Sequence, residues 1–117
     1  MVRNPIIPGF HSDPCLCRRG GDYYLAFSSF EWFPGIPVYH SRDLLHWELY
    51  THLLQDDEAL SLRGLPSAKG LWAPCLTWCE ADGLFYLVYG IMRSMNARFF
   101  DIDNYLVSAP EITGPWS

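Results

Sequence analysis

The sequence predicts an all-β fold, because its local patterns are those of short strands and because one group of strands repeats another. Short runs rich in Tyr, Phe, Val, Ile and Leu alternate with clusters of Gly, Pro, Asp and Ser, which is typical of strands joined by turns. No stretch keeps a helical period beyond two turns. The candidate strands are 23–29, 38–41 and 46–50 in a first group, and 72–78, 85–91 and 104–109 in a second.

The two groups of strands resemble each other. The segment GDYYL at 21–25 recurs as DGLFYL at 82–87, and YHS at 39–41 recurs as LVS at 106–108. Each unit ends in a tryptophan, Trp47 in the first and Trp116 in the second, which indicates a structural role for both. A repeated unit of a few antiparallel strands is typical of a β-propeller blade, which buries its faces only against neighbouring blades.

This repeat predicts one domain, 1–117, that holds the first two blades of a propeller and an incomplete ring. Blade one is expected at about 10–50, a connecting surface loop at 51–70 and blade two at 71–117. The loop carries an acidic run at 56–58 and is expected to hold one helical turn near 58–62. Because blade two stops where its last strand should begin, the sequence is expected to be cut at its C-terminus.

Composition narrows the class of partner. The chain has 117 residues, half of them apolar, and a formal net charge of −5, which disfavours nucleic acid as a partner because phosphate binding requires clustered Lys and Arg. The apolar stretch 84–92 is too short to cross a membrane, and 1–5 does not lead into a secretory signal. We therefore expect a cytoplasmic protein with no membrane partner, and the oligomeric state stays open.

The four cysteines are expected to be buried free thiols. Cys15 and Cys17 form a CxC pair that is tighter than the usual zinc spacing, and they would point the same way from a strand. Cys75 and Cys79 complete the set. We expect no metal and no cofactor.

Asp13 is the candidate catalytic carboxylate. It lies in the segment GFHSDP at 9–14, where Pro14 restricts its backbone and predicts a rigid, extended conformation. An isolated Asp-Pro pair more often organises a turn than performs catalysis, so the residues alone leave both readings open. On an extended strand His11 would project from the same side as Asp13 and influence its ionisation.

Four segments together resemble the β-xylosidases of glycoside hydrolase family 43. They are NPIIPGFHSDP, SSFEWFPGIPVYHSRDLLHWE, LRGLPSAKGLWAPCLTW and DIDNYLVSAPEITGPWS, in the family's order and over nearly the whole chain. The resemblance implies a five-bladed β-propeller that hydrolyses xylosides or arabinofuranosides with inversion. It also implies a xylo-oligosaccharide or arabinoside substrate.

The resemblance assigns roles to particular residues. Asp13 corresponds to the general base, while Phe30 and the Trp72-Ala73 pair of a Trp-Ala-Pro motif correspond to residues that line the glycone subsite. The pattern alone leaves Trp72 equally suited to a blade core. Trp32 and Phe33, close to Phe30, are further candidates for the same surface.

The chain departs from the family pattern in two ways. Where the family usually reads HPDPS, Ser12 replaces a proline and Cys15 replaces a serine, so a looser turn and a missing hydrogen bond near the base are expected. The general acid glutamate and the pKa-modulating aspartate have no match, and Asp101 and Asp103 are expected to polarise a turn or face solvent. We therefore expect no appreciable hydrolysis by the chain alone. The alternatives are a non-catalytic carbohydrate-binding module and an inactive truncated product.

Overall fold

The computed structural model describes residues 3–56, 60–96 and 99–117. All the secondary-structure elements that it defines there are β-strands. The chain forms two antiparallel meanders, of four and three strands, in which each strand pairs with the next along the sequence. Sheet one contains β1 (Ser12–Arg19), β2 (Asp22–Ser28), β3 (Gly35–Ser41) and β4 (Glu48–Leu54). Sheet two contains β5 (Gly70–Cys79), β6 (Leu84–Asn96) and β7 (Phe99–Ala109). The prediction of an all-β chain with two propeller blades is confirmed, and the described residues do not close a ring.

The strand bounds differ from the predicted ones at several places. β1 was absent from the candidate strands, because Pro14 interrupts its pattern, and β4 continues to Leu54, beyond the predicted end of blade one. β7 begins at Phe99, so Asp101 and Asp103 lie in a strand and not at a turn, and both are exposed, which agrees with the alternative that they face solvent. Asp103 pairs with Arg93 of β6, with 3.0 Å between Nε and Oδ2. The ladder with the long strand β6 supplies backbone hydrogen bonds that polar side chains do not disturb.

The connecting loop is described only in part. Residues 57 and 58 of the acidic run, and the start of the helical turn expected at 58–62, lie outside the described residues. At the edge of that gap the Leu60 N–H donates a hydrogen bond to the Asp56 carbonyl at 3.1 Å. Leu60 and Leu62 are buried and belong to the core. The loop is therefore anchored on the core at these two leucines.

The core lies between the two sheets. The side chains that are most completely buried come from both: Ile36 and Val38 from β3, and Leu71, Phe85 and Leu87 from β5 and β6. Full burial of such side chains contributes about 1.5–3 kcal/mol each. The two sheets thus pack face to face, as neighbouring blades do, with β1 against β5.

The two tryptophans expected to be structural occupy matching turns. The indole N–H of Trp47 donates to the Leu44 carbonyl at 3.1 Å, and that of Trp116 donates to the Ile112 carbonyl at 3.3 Å. Trp116 also packs against the core. Each tryptophan holds the turn that follows the third strand of its own sheet, β3 in sheet one and β7 in sheet two.

The cysteines are free, but they are not all buried. Cys17 is buried, Cys15 and Cys79 are half-buried, and Cys75 is exposed. The prediction of a buried thiol is wrong at Cys75, because this residue lies on the face of sheet two that has no partner sheet among the described residues. Within the described ranges, no helix is both long and apolar enough to span a bilayer.

Candidate active site

Asp13 lies in a β-bulge at the start of β1. Ser12 pairs with Ser28 and Cys15 with Ala26, so that Asp13 and Pro14 together oppose the single residue Phe27. The φ of Asp13 is +52°, and the prediction of an extended backbone is therefore wrong: the bulge sets its first residue in the left-handed region. For a residue other than glycine this conformation costs about 1–2 kcal/mol, and such strain is concentrated at functional sites.

The same bulge recurs in sheet two, where the sequence predicted no irregularity. Asp13-Pro14-Cys15 has its counterpart in Ala73-Pro74-Cys75, and the register of β5 with β6 shifts between Trp72 and Cys75. Ala73 has a φ of +44°, close to that of Asp13. The repeated Pro-Cys pair in the sequence was the available signal. Asp13 and Ala73 therefore occupy equivalent positions on the first strands of the two sheets.

The carboxylate of Asp13 is held by one of its two oxygens. Oδ2 accepts a hydrogen bond from the Ser28 hydroxyl at 2.6 Å and another from the Ser12 hydroxyl at 3.2 Å. Within residues 3–56, 60–96 and 99–117, no hydrogen bond to Oδ1 is formed. Asp13 is exposed, so it presents an anchored oxygen to the protein and an open oxygen to solvent.

Ser28 joins this carboxylate to sheet two. Its hydroxyl oxygen accepts a hydrogen bond from the Ala73 N–H at 2.8 Å, while its proton is donated to Asp13. Ser28 is buried, with 5% of its surface exposed. Sequence reasoning missed this residue, since a serine at a strand end carries no signal of its own.

An aromatic wall formed by Phe30 and Trp72 adjoins Ala73, whose N–H anchors the serine that holds the carboxylate. Phe30 exchanges two backbone hydrogen bonds with Leu71, of 3.0 and 2.9 Å, and this bridge fixes the loop after β2 against β5. The ring centroids of Phe30 and Trp72 are 6.3 Å apart in an edge-to-face arrangement. The Trp72 indole N–H donates to the Ala68 carbonyl at 3.1 Å. The structure thus brings together Phe30, Trp72 and Ala73, the three residues expected to line the glycone subsite.

Two further aromatic side chains extend this wall. Phe10 lies 5.7 Å from Phe30 and 5.9 Å from Trp32 between ring centroids. Phe10 and Trp32 are 66% and 61% exposed, and with Phe30 they border a cavity of about 270 Å³. Trp32 was a predicted alternative for this surface. Phe10 was missed, although it lies in the same segment as Asp13.

His11 is engaged within sheet one. Its Nε2 lies 3.1 Å from the Tyr39 hydroxyl, and its ring contacts Phe27 and Tyr39 edge to face. No hydrogen bond joins His11 to Asp13 in the described part of the chain. The observed contacts therefore give His11 a packing role, and its expected influence on Asp13 stays a prediction.

Cys15 keeps a polar contact at the position where the family pattern has serine. Its Sγ accepts a hydrogen bond from the Leu76 N–H at 3.2 Å and donates to the Leu76 carbonyl at 3.6 Å. Burial raises the pKa of the Cys15 thiol and raises that of Cys17 to about 11, so both thiols stay protonated at neutral pH. Position 15 thus keeps a hydrogen bond, which ties β1 to β5, and the expectation of a missing hydrogen bond near the base stays a prediction.

A larger cavity, of about 750 Å³, lies elsewhere. It is lined by Asp22, His40, His46 and their neighbours, and Asp22 begins the strand β2 that Ser28 ends. This cavity is therefore at the opposite end of sheet one from Asp13.

Comparison with known proteins identifies the family. The model of the glycosyl hydrolases family 43 matches residues 2–117. The chain belongs to glycosyl hydrolase family 43. Its family 43 relatives include the xylosidase/arabinosidase 43B of Humicola insolens, 50% identical over 118 residues, and a putative β-xylosidase of Escherichia coli K12, 48% identical over 116 residues. These alignments cover 100% and 99% of this chain, and 21% of each relative.

The fold agrees with the family assignment. The chain superposes on the crystal structure of a xylan β-1,4-xylosidase from Bacillus halodurans C-125 with a TM-score of 0.94 and 47% identity. The superposition covers the whole of this chain and 22% of that structure. The chain thus spans about a fifth of the length of the family 43 proteins that it matches.

Proposed function

We propose that Asp13 is the general base of an inverting glycoside hydrolase that acts on xylo-oligosaccharides or arabinosides. The observation that carries the proposal is the difference between the two carboxylate oxygens: Oδ2 accepts hydrogen bonds from two hydroxyls, whereas Oδ1 is open to solvent. An ionised carboxylate with one free oxygen can orient a water molecule and take a proton from it. The family 43 relatives, named as xylosidases and arabinosidases, support the substrate class.

The reaction needs two carboxyl groups on opposite sides of the sugar. Oδ1 of Asp13 removes a proton from water while the water oxygen attacks the anomeric carbon, and the glycosidic C–O bond breaks on the opposite face. A protonated carboxyl group, about 6.5–9.5 Å away, gives its proton to the leaving oxygen. By the family resemblance that acid is not among these 117 residues, so this chain supplies the base side of the reaction.

The aromatic wall suits the sugar that is being hydrolysed. Phe30 and Trp72 offer flat apolar faces on which the C–H face of a pentose packs and from which water is excluded. Ala73, exposed and short, stands on sheet two at the position equivalent to Asp13. We assign these three residues to the glycone subsite.

The test uses a complete β-propeller. In a chimera, residues 1–117 replace the matching segment of the Humicola insolens xylosidase/arabinosidase 43B, and Asp13→Asn is introduced. We expect kcat on xylobiose to fall by about 10²- to 10⁴-fold, as for the loss of a general base. Asp22→Asn, which removes the same charge at the far end of sheet one, is the control and should keep activity.

Two results would contradict the proposal. One is an Asp13→Asn chimera that hydrolyses xylobiose as fast as the unsubstituted chimera. The other is an unsubstituted chimera that binds xylobiose in calorimetry without hydrolysing it, which would favour a carbohydrate-binding module. We expect the isolated 117-residue chain to show no appreciable hydrolysis.

A further inference from the structure

We infer that Ser28 is a positioning residue for the general base, and that through it the first strand of sheet two holds the Asp13 carboxylate in place. The inference rests on the proposed function of Asp13. Ser28 touches no substrate in this scheme and acts only through the carboxylate.

The Ser28 hydroxyl accepts one hydrogen bond and donates another. The Ala73 N–H donates to Ser28 Oγ at 2.8 Å, and the Ser28 hydroxyl donates to Asp13 Oδ2 at 2.6 Å. Because the hydroxyl oxygen already accepts from Ala73, its single proton is directed to Asp13. A hydroxyl that donates to a carboxylate forms a short hydrogen bond, and the distance of 2.6 Å lies in that range.

Both strand bulges contribute to this arrangement. The bulge in β1 sets Asp13 beside Ser28, and the bulge in β5 takes the Ala73 N–H out of its ladder with β6. That N–H is donated to Ser28 instead. Any shift of β5 relative to β1 would therefore be transmitted to the carboxylate.

The second donor to Asp13 cannot replace Ser28. The Ser12 hydroxyl is 3.2 Å from the same oxygen in an exposed position, where water competes for the bond. Ser28 is buried, so its bond is shielded from solvent. Without Ser28, the carboxylate would rotate, and Oδ1 would no longer face the attacking water.

Ser29 provides a matched control. It is the adjacent residue, is equally buried, and its Oγ accepts a backbone N–H, that of Ile36, at 3.0 Å. Its hydroxyl makes no hydrogen bond to Asp13 among the described residues. Ser28→Ala and Ser29→Ala thus remove the same kind of backbone contact, and only Ser28→Ala frees the base.

The experiment measures kcat and KM for xylobiose in the chimera. We expect Ser28→Ala to lower kcat by about 10- to 100-fold, the range for a misplaced catalytic group, with KM changed by less than about threefold. Ser28→Thr, which keeps the hydroxyl, should restore most of kcat. Ser29→Ala should keep the kcat of the unsubstituted chimera even where its melting temperature falls.

If Ser28→Ala does not fold, Ser28→Cys fills the same volume with a weakly hydrogen-bonding thiol and is measured in its place. The inference is overturned if the alanine or cysteine variant keeps kcat, if Ser28→Thr is no better than Ser28→Ala, or if Ser29→Ala loses as much. Asp13→Asn in the same chimera separates the two proposals. Inactive Asp13→Asn with fully active Ser28→Ala defeats only this inference, whereas active Asp13→Asn defeats the proposed function.

Discussion

At the scale of single residues, the surroundings of each carboxylate determine its role. Asp43 lies 2.6 Å from the His46 ring and accepts hydrogen bonds from the backbone N–H groups of His46 and Leu45, and these contacts hold its pKa far below the usual range. Asp43 therefore stays ionised and stabilises a turn. Asp13, with one oxygen open, is the carboxylate that we propose as the general base.

Asp22 gives a residue-scale prediction about pH. The hydrogen bond with His40, and then that with Arg42, lowers the pKa of Asp22 below its ordinary value of 3.8. A lowered pKa means that the stabilisation is complete above pH 3.8 and is lost as pH falls below that value. We expect the melting temperature of the chain to exceed that of Asp22→Asn at pH 6, and the gap to narrow towards pH 3.

Thermal unfolding followed by circular dichroism checks this. Asp101→Asn, which removes a charge from an exposed position on β7, is the control. The difference in melting temperature between the unsubstituted chain and this variant should not narrow in the same way. A gap for Asp22→Asn that stays constant from pH 6 to pH 3 would contradict the assignment.

At the scale of elements, one glycine determines how the aromatic wall joins sheet two. Gly70 opens β5 with a φ of +94°, and a Cβ placed on it would lie 2.2 Å from the Phe30 carbonyl oxygen. That carbonyl accepts the Leu71 N–H in the bridge between the loop after β2 and β5. The close approach of the two backbones is therefore possible only with glycine at this position.

Gly70→Ala is expected to be destabilising on two counts. The left-handed backbone costs about 1–2 kcal/mol in the alanine variant, and displacement of Phe30 costs about 1–3 kcal/mol more. Gly83→Ala is the control, because its φ is also positive, +65°, but nothing lies within 4 Å of the new Cβ. Urea unfolding of both variants tests this, and equal losses of stability would refute the role of the bridge.

At the scale of the whole molecule, equivalent positions of the two sheets face different surroundings. Leu16 and Leu76 each follow the Pro-Cys pair of their bulge, yet Leu16 is 56% exposed and Leu76 is 2% exposed. Leu76 faces sheet one, whereas Leu16 lies on the face of sheet one that points away from sheet two. Both sheets therefore carry an apolar residue at this position, as expected of propeller blades, each of which packs against the next.

Arg19 links the two sheets at the other end of β1. Its guanidinium donates to both carboxylate oxygens of Glu111, at 2.7 and 3.3 Å, and its Cζ lies 4.3 Å from the centre of the Trp78 ring. The hydrogen bond from Arg19 also lowers the pKa of Glu111. These contacts join β1 to residues of the second unit.

We expect Arg19→Ala to lower the melting temperature more than Arg18→Ala. Arg18 makes the same kinds of contact, with the Gly20 carbonyl and the Tyr23 ring, but only within sheet one. Differential scanning calorimetry compares the two variants. Equal shifts would mean that the contacts between the sheets add nothing beyond those within one sheet.

The sequence predicted most of the strands because the signal of each strand, an apolar run between turn-forming residues, lies within a few consecutive residues. β2 and β6 are runs of apolar and aromatic residues between turn formers, and both were located within a few residues except for the extension of β6 to Asn96. β1 was missed because a bulge containing Pro14 breaks its alternation. Asp13 was singled out by its sequence neighbours, while Ser28 and Ala73 reach it only through the fold, since 45 residues separate these two.

The sequence by itself determined the all-β class, the repeat and the family, and it singled out Asp13, Phe30 and Trp72 as candidate site residues, because short local segments carry each of these signals. Only the tertiary structure decided the left-handed backbone of Asp13, its anchored and open oxygens, and the serine that ties it to the second sheet. These properties depend on two bulges on different strands coming into register. The packing of β1 against β5 brings them together, and no local pattern encodes that contact.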